Sequence, residues 1–172
     1  MNQDPVTALV TTLTKYGLTV ATAESLTGGL LAGKIVSVPG ASLVFNGGVV
    51  SYHTQLKHSL LGVDAELLAE NGPVDPLVAQ QMAEGARHTC AIDGRLADLG
   101  LATTGVAGPD PDPQTGKPAG TVFLGIATRH DSRTVPLSLT GDRPTIREAT
   151  VAATIEEALT ELSTLGTGFP GQ

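Results

Sequence analysis

The sequence has no tryptophan, only three phenylalanines and two tyrosines in 172 residues, which leaves few flat rings on which bases could stack. Basic stripes are missing too. Ten Lys and Arg stand against seventeen Asp and Glu, for a net charge of −7 at pH 7, so no nucleic-acid partner is expected. A small anionic substrate remains compatible with that charge, because helix ends and single cations act locally. The lone Cys90 excludes an internal disulfide framework and suits a reducing cytoplasm. It lies in an Ala/Met-rich helical pattern, which favours a structural thiol over a reactive one. No apolar run approaches the roughly 18 residues of a membrane span, and Asp4, Pro5 and the threonines after them break any signal-like segment. The expectation is a soluble, cytoplasmic protein with no membrane contact.

What is present is a globular composition, with 41% hydrophobic and 16% charged residues. Residues 1–165 read as a single domain and 166–172 as a disordered tail. Helical periodicity marks 6–15, ended by Gly17, and β-type residues follow at 18–23. A glycine-opened helix runs to about 38, and β-rich residues span 42–52, with Gly47-Gly48 as a bulge or close approach. Short helices read at 54–61 and 64–70. Asp75-Pro76 pairs an N-cap with proline at the first helical position, launching a helix to about 91. Strands at 98–104, 121–128 and 133–139 precede a helix from 143 or 144 to 165. Strands alternating with helices predict a three-layer α/β/α sandwich with a mixed, mostly parallel sheet.

The most informative run is Ala21-Thr22-Ala23-Glu24-Ser25-Leu26-Thr27-Gly28-Gly29, where a strand turns into a helix. A serine there is a nucleophile, an anion ligand or simply a helix cap. Three other segments stand out. Gly47 to Lys57 brings Tyr52 and Lys57 near the same sheet edge. A lysine held out of bulk water can serve as a base, although a solvated helix lysine is the plain alternative. Thr103-Thr104-Gly105-Val106-Ala107-Gly108-Pro109 offers hydroxyls and backbone amides to an oxyanion, or is an ordinary glycine-rich loop. Gly141-Asp142-Arg143-Pro144-Thr145-Ile146-Arg147 opens a helix with two cations one turn apart. They could grip a phosphate, or merely solvate a helix start capped by Asp142. The four histidines have no metal-ligand spacing with carboxylates; His53 and His58 read as surface residues.

Taken in order, Ala-Glu-Ser-x-Thr-Gly-Gly, Gly-Gly-x-Val-x-Tyr-x-x-x-x-Lys, Gly-Val-Ala-Gly-Pro, Lys-Pro-x-Gly-Thr-Val and Gly-Asp-Arg resemble the C-terminal domain of the CinA family. These are pyridine-nucleotide amidohydrolases that deamidate nicotinamide mononucleotide. The resemblance runs from about Val6 to Leu162. It implies Ser25 as nucleophile, Lys57 as base, Tyr52 as a partner that orients or relays the proton, and Thr104 as a further catalytic hydroxyl. It also implies substrate contacts from Thr27, Gly28, Gly29, Gly105, Ala107, Gly108 and Arg143, with Arg147 as the next candidate for the phosphate. No metal or cofactor is implied, and a homo-oligomer acting in pyridine-nucleotide salvage is. The chain departs from the family at Leu26, usually Cys, and at His53-Thr54, usually Ser-Asn. It also departs at Pro73-Val74-Asp75, usually Ala-Val-Ser, and in the Asp-Pro-Asp-Pro run after Pro109. A non-catalytic domain holding a nucleotide or partner, related to competence/damage-inducible CinA proteins, is the alternative. An RNA-associated module of anticodon-binding type is a third reading, opposed by charge and aromatic content.

Overall fold

The computed structural model describes residues 4–165, so the expected tail at 166–172 lies outside the described residues. The chain runs α1 (Pro5–Tyr16), β1 (Val20–Glu24), α2 (Leu30–Val36), a 3-10 turn (Ala41–Leu43), β2 (Phe45–Val50), α3 (Thr54–Leu61), α4 (Ala65–Asn71) and α5 (Pro76–Thr89). It continues through β3 (Leu99–Gly105), β4 (Thr121–Ala127), β5 (Ser132–Ser138) and α6 (Arg143–Leu165). The strands form one sheet in the order β2-β1-β3-β4-β5. β1 runs parallel to β2 and β3, whereas β3–β4 and β4–β5 are antiparallel. The sheet is therefore mixed as expected, with parallel pairings making up half of it. No helix separates β3 from β4, so that connection returns as a hairpin and cannot pair in parallel.

Two cores cover the two faces. On one, Leu9 and Leu13 of α1, Leu31 and Ile35 of α2, and Ile155 and Leu162 of α6 pack on Val20, Leu99 and Leu101. Each such side chain contributes about 1.5–3 kcal/mol by burial. On the other, Val78, Met82, Ala83 and Ala86 of α5 meet Ala21, Ala23, Ala102 and Ala127. Small residues here draw α5 down onto the sheet: a Cβ at Gly100 or Gly125 would overlap the carbonyl of Ala83 or Ala79. Asp75 caps α5 through the amides of Leu77 and Val78, with Pro76 at its first position. The expected bulge lies at Asn46, where the β1–β2 register slips between Val20–Phe45 and Ala21–Gly47. Among the described residues no helix is long and apolar enough to cross a membrane.

β1 and β3 lie side by side and end at the same edge. The chain leaves β1 towards β2 and β3 towards β4, in opposite directions. A crevice between such strand ends is where ligands sit in α/β sheets.

Candidate active site

A cleft of about 380 Å³ opens at that edge, lined among others by Ser25, Tyr52, Lys57, Thr104, Gly108 and Arg143. Its size falls within the range of small-molecule sites. Ser25 follows the last residue of β1 and is 9% exposed; Lys57, on the first turn of α3, is 1% exposed. Lys57 Nζ donates to Ser25 Oγ at 2.9 Å and to the Ser51 carbonyl at 2.7 Å. No carboxylate forms an ion pair with it among the described residues. Burial penalises the ammonium form, and the amine is pushed down to about 8. A neutral amine at this distance can accept the serine proton, which is the geometry of an activated nucleophile.

The turn that carries Ser25 is held from behind. The Glu24 carboxylate, 1% exposed, accepts from Thr27 Oγ1 at 2.6 Å and from the amides of Gly29, Leu31 and Ala32 at 2.8–3.0 Å. Thr27 Oγ1 also bonds Thr103 Oγ1 at 2.7 Å. The Gly28 amide donates to the Ser25 carbonyl. Three expected substrate contacts are thereby corrected. Thr27 is fully buried away from the cleft, and the amides of Gly28 and Gly29 are spent on the protein itself. The positive end of α2 faces Glu24 rather than an open site. Arg147 is corrected as well. Its Nε and Nη2 donate to the carbonyls of Leu26 and Thr27 at 2.8 and 2.9 Å, so it clamps the same turn.

The opposite wall is looser. Thr104 lines the cleft and donates to the Pro73 carbonyl at 2.6 Å, which ties β3 to the segment before α5. Gly105, Ala107 and Gly108 all line the cleft. Among the described residues, the amides of Ala107 and Gly108, and of Leu26 on the Ser25 side, have no hydrogen-bond partner, so they are free to donate to an anion in the cleft. Tyr52 is more than half exposed, and its hydroxyl accepts from Arg143 Nη2 at 2.8 Å. It therefore stands at the cleft mouth on Arg143, not on Ser25 as a proton relay would require. Arg143 also donates to the Gly108 carbonyl at 2.9 Å. Neither partner carries charge, and no carboxylate forms an ion pair with Arg143 among the described residues, although Asp110 and Asp112 also line the cleft. Asp142 caps α6 through Thr145.

The family model for the CinA C-terminal domain matches residues 2–162. The chain belongs to the CinA C-terminal domain family. It is 45% identical over 166 residues to a CinA-like protein from Frankia casuarinae, covering 92% of this chain and 37% of that protein. The chain thus spans little more than a third of that longer relative. Two solved structures match along almost their whole length. One is the competence/damage inducible protein CihA from Agrobacterium tumefaciens, at TM-score 0.82 and 34% identity, covering 95% of this chain and 98% of that one. The other is a CinA superfamily protein from Klebsiella pneumoniae, at TM-score 0.85 and 30% identity, covering 94% and 99%.

Within this CinA C-terminal domain, two polar residues behind the site carry no signal that sequence reasoning used. Glu24 stands next to Ser25 in the motif, yet a glutamate ending a strand reads as solvated. Thr103 reads as one more strand hydroxyl. Leu26, at the position where the family usually has cysteine, packs 3% exposed against Ala107, Val122, Leu124 and Ile146. Its role here is apolar filling. Cys90 lies away from the cleft and is half-buried, and burial pushes its thiol up. It is not an activated nucleophile.

Proposed function

We propose that this domain hydrolyses the carboxamide of nicotinamide mononucleotide to nicotinate mononucleotide and ammonia. The observation that carries the reading is the buried Lys57 Nζ at 2.9 Å from the cleft-facing Ser25 Oγ. In this reading neutral Lys57 takes the Ser25 proton as Oγ attacks the carboxamide carbon. Amides of Leu26, Ala107 and Gly108 receive the oxyanion. The tetrahedral intermediate collapses, the C–N bond breaks, and Lys57 returns the proton to the leaving ammonia. Water, losing a proton to Lys57, then attacks the acyl-serine; the ester C–O bond breaks and Lys57 returns that proton to Ser25 Oγ, restoring the hydroxyl and the neutral amine.

Arg143 supports a phosphate-bearing substrate, because its charge is unpaired and overhangs the cleft. A cytoplasmic homo-oligomer acting in pyridine-nucleotide salvage completes the proposal. Self-association is supported by β2, an edge strand without charge or proline, which ends at exposed Val50 and follows exposed Leu43. The test is ammonia release on adding nicotinamide mononucleotide to the purified chain. Release in the wild type and its loss in Ser25→Ala would bear the reading out. A wild type that binds the nucleotide without releasing ammonia would favour the non-catalytic binding domain instead.

A further inference from the structure

Glu24 is the most thoroughly bonded side chain near the cleft, and it touches no substrate-facing space. Its carboxylate receives four hydrogen bonds, three on Oε2 from Thr27 Oγ1 and the amides of Gly29 and Leu31, and one on Oε1 from the Ala32 amide. Every partner is a donor, the complement of a carboxylate rather than of an amide or a carboxylic acid. No cation pairs with it among the described residues. A buried carboxylate is expensive unless its surroundings satisfy it, and here the opening amides of α2 do so.

The bonds lead to both members of the Ser25–Lys57 pair. Through Thr27 Oγ1 the carboxylate reaches Thr103, whose carbonyl accepts the Ser25 amide at 2.9 Å. Through its own carbonyl Glu24 accepts the Ser51 amide at 2.9 Å, and the Ser51 carbonyl in turn accepts Lys57 Nζ at 2.7 Å. One residue therefore closes two hydrogen-bonded routes, one to the nucleophile's backbone and one to the amine.

We propose that Glu24 is a positioning residue: its carboxylate locks the Ser25 turn so that the serine hydroxyl stays on Lys57 Nζ. The proposal rests on the reading of Ser25 and Lys57 as nucleophile and base. Glutamine at this position keeps the shape but turns one acceptor into a donor. If its NH2 takes the Oε1 place, it faces the Ala32 amide donor to donor; if it takes the Oε2 place, it opposes three donors. Either way the turn loosens. A misplacement of about 1 Å costs roughly a hundredfold in rate, while the phosphate-facing Arg143 on the other wall is untouched.

Wild type, Glu24→Gln, Glu24→Asp and Thr27→Val are compared for ammonia release from nicotinamide mononucleotide and for thermal unfolding. Lys57 is titrated in each by carbon-13 NMR of the lysine side chains. E24Q is expected to lose about a hundredfold in kcat with KM nearly unchanged. T27V, which removes the hydroxyl that joins Glu24 Oε2 to Thr103 Oγ1 but keeps the carboxylate and its three amide bonds, is expected to lose about tenfold. E24D, with its carboxylate kept, recovers part of the loss. In E24Q and T27V the Lys57 titration moves upward from about 8, as the loosened turn admits water. A merely structural Glu24 would lower the unfolding temperature and leave kcat and the Lys57 titration where they are; that result overturns the proposal. If E24Q does not fold, T27V decides by the same two readouts. If the wild type itself releases no ammonia, the proposed reaction fails, while the Lys57 titration in T27V still tests Glu24.

Discussion

The two walls of the cleft are built on opposite terms. The Ser25 wall is buried and largely committed: Glu24, Thr27, Thr103 and Arg147 bond most polar groups of the turn and leave the Leu26 amide open to the cleft. The Arg143 wall is exposed and only partly committed, with Tyr52 and the Gly108 carbonyl as uncharged partners of a full positive charge. Chemistry needs fixed geometry, and recognition needs groups that can exchange one partner for another. On the proposed reading, bond-making falls to the first wall and substrate-holding to the second.

The most direct way to break that assignment is Ser25→Ala. It should lower ammonia release by roughly three orders of magnitude or more, with unfolding unchanged. Near-normal turnover would move the reaction off this wall altogether. Next comes pH. The base must be neutral, so kcat/KM should rise with pH and level off once it passes about 8, the value to which burial pushes Lys57. A rate that is flat from pH 6 to 9 would remove Lys57 as the base.

On the outer wall Arg143→Ala should raise KM for nicotinamide mononucleotide about ten- to a hundredfold, for a charge-assisted contact of roughly 1.5–3 kcal/mol. Nicotinamide riboside, which lacks the phosphate, should be nearly indifferent to the change. Equal losses for both would place Arg143 on the ribose or the fold. The smallest effect is expected from Tyr52→Phe, which removes one exposed neutral hydrogen bond. About two- to tenfold in KM follows from roughly 0.5–1.5 kcal/mol. A hundredfold fall in kcat instead would put Tyr52 in the proton path with Ser25, against its observed place on Arg143.

Much of the fold was legible because local punctuation decides it. Gly17 and Gly62 close α1 and α3 in the left-handed conformation, and Asp75-Pro76 opens α5. α3 begins and ends at Thr54 and Leu61, as its pattern predicts. The strand ends already placed Lys57 near the sheet edge that carries Ser25, but their pairing as nucleophile and base came from the family resemblance, since nothing local brings residues so far apart in sequence into contact. What escaped were polar residues whose meaning depends on tertiary closure. Glu24 looks solvated until the amides of α2 fold back onto it. Arg143 and Arg147 look equivalent on one helix, yet one meets the carbonyls of the Ser25 turn and the other overhangs the cleft. Their division of labour is set by where the turn lies relative to α6, which spacing along a helix does not encode.

The burial of Lys57 also has a thermodynamic side. An amine that titrates near 8 in the folded chain and at the ordinary 10.5 in the unfolded one makes the unfolded state the better proton acceptor between those values. Below about 8 both states hold the proton, and the native state carries the whole penalty, about 3 kcal/mol. As pH rises from 8 to 10.5 the penalty fades, and stability gains from this group. At neutral pH the domain therefore bears a standing conformational cost at the residue its proposed chemistry depends on, drawn from a total that for a domain of this kind is only about 5–15 kcal/mol.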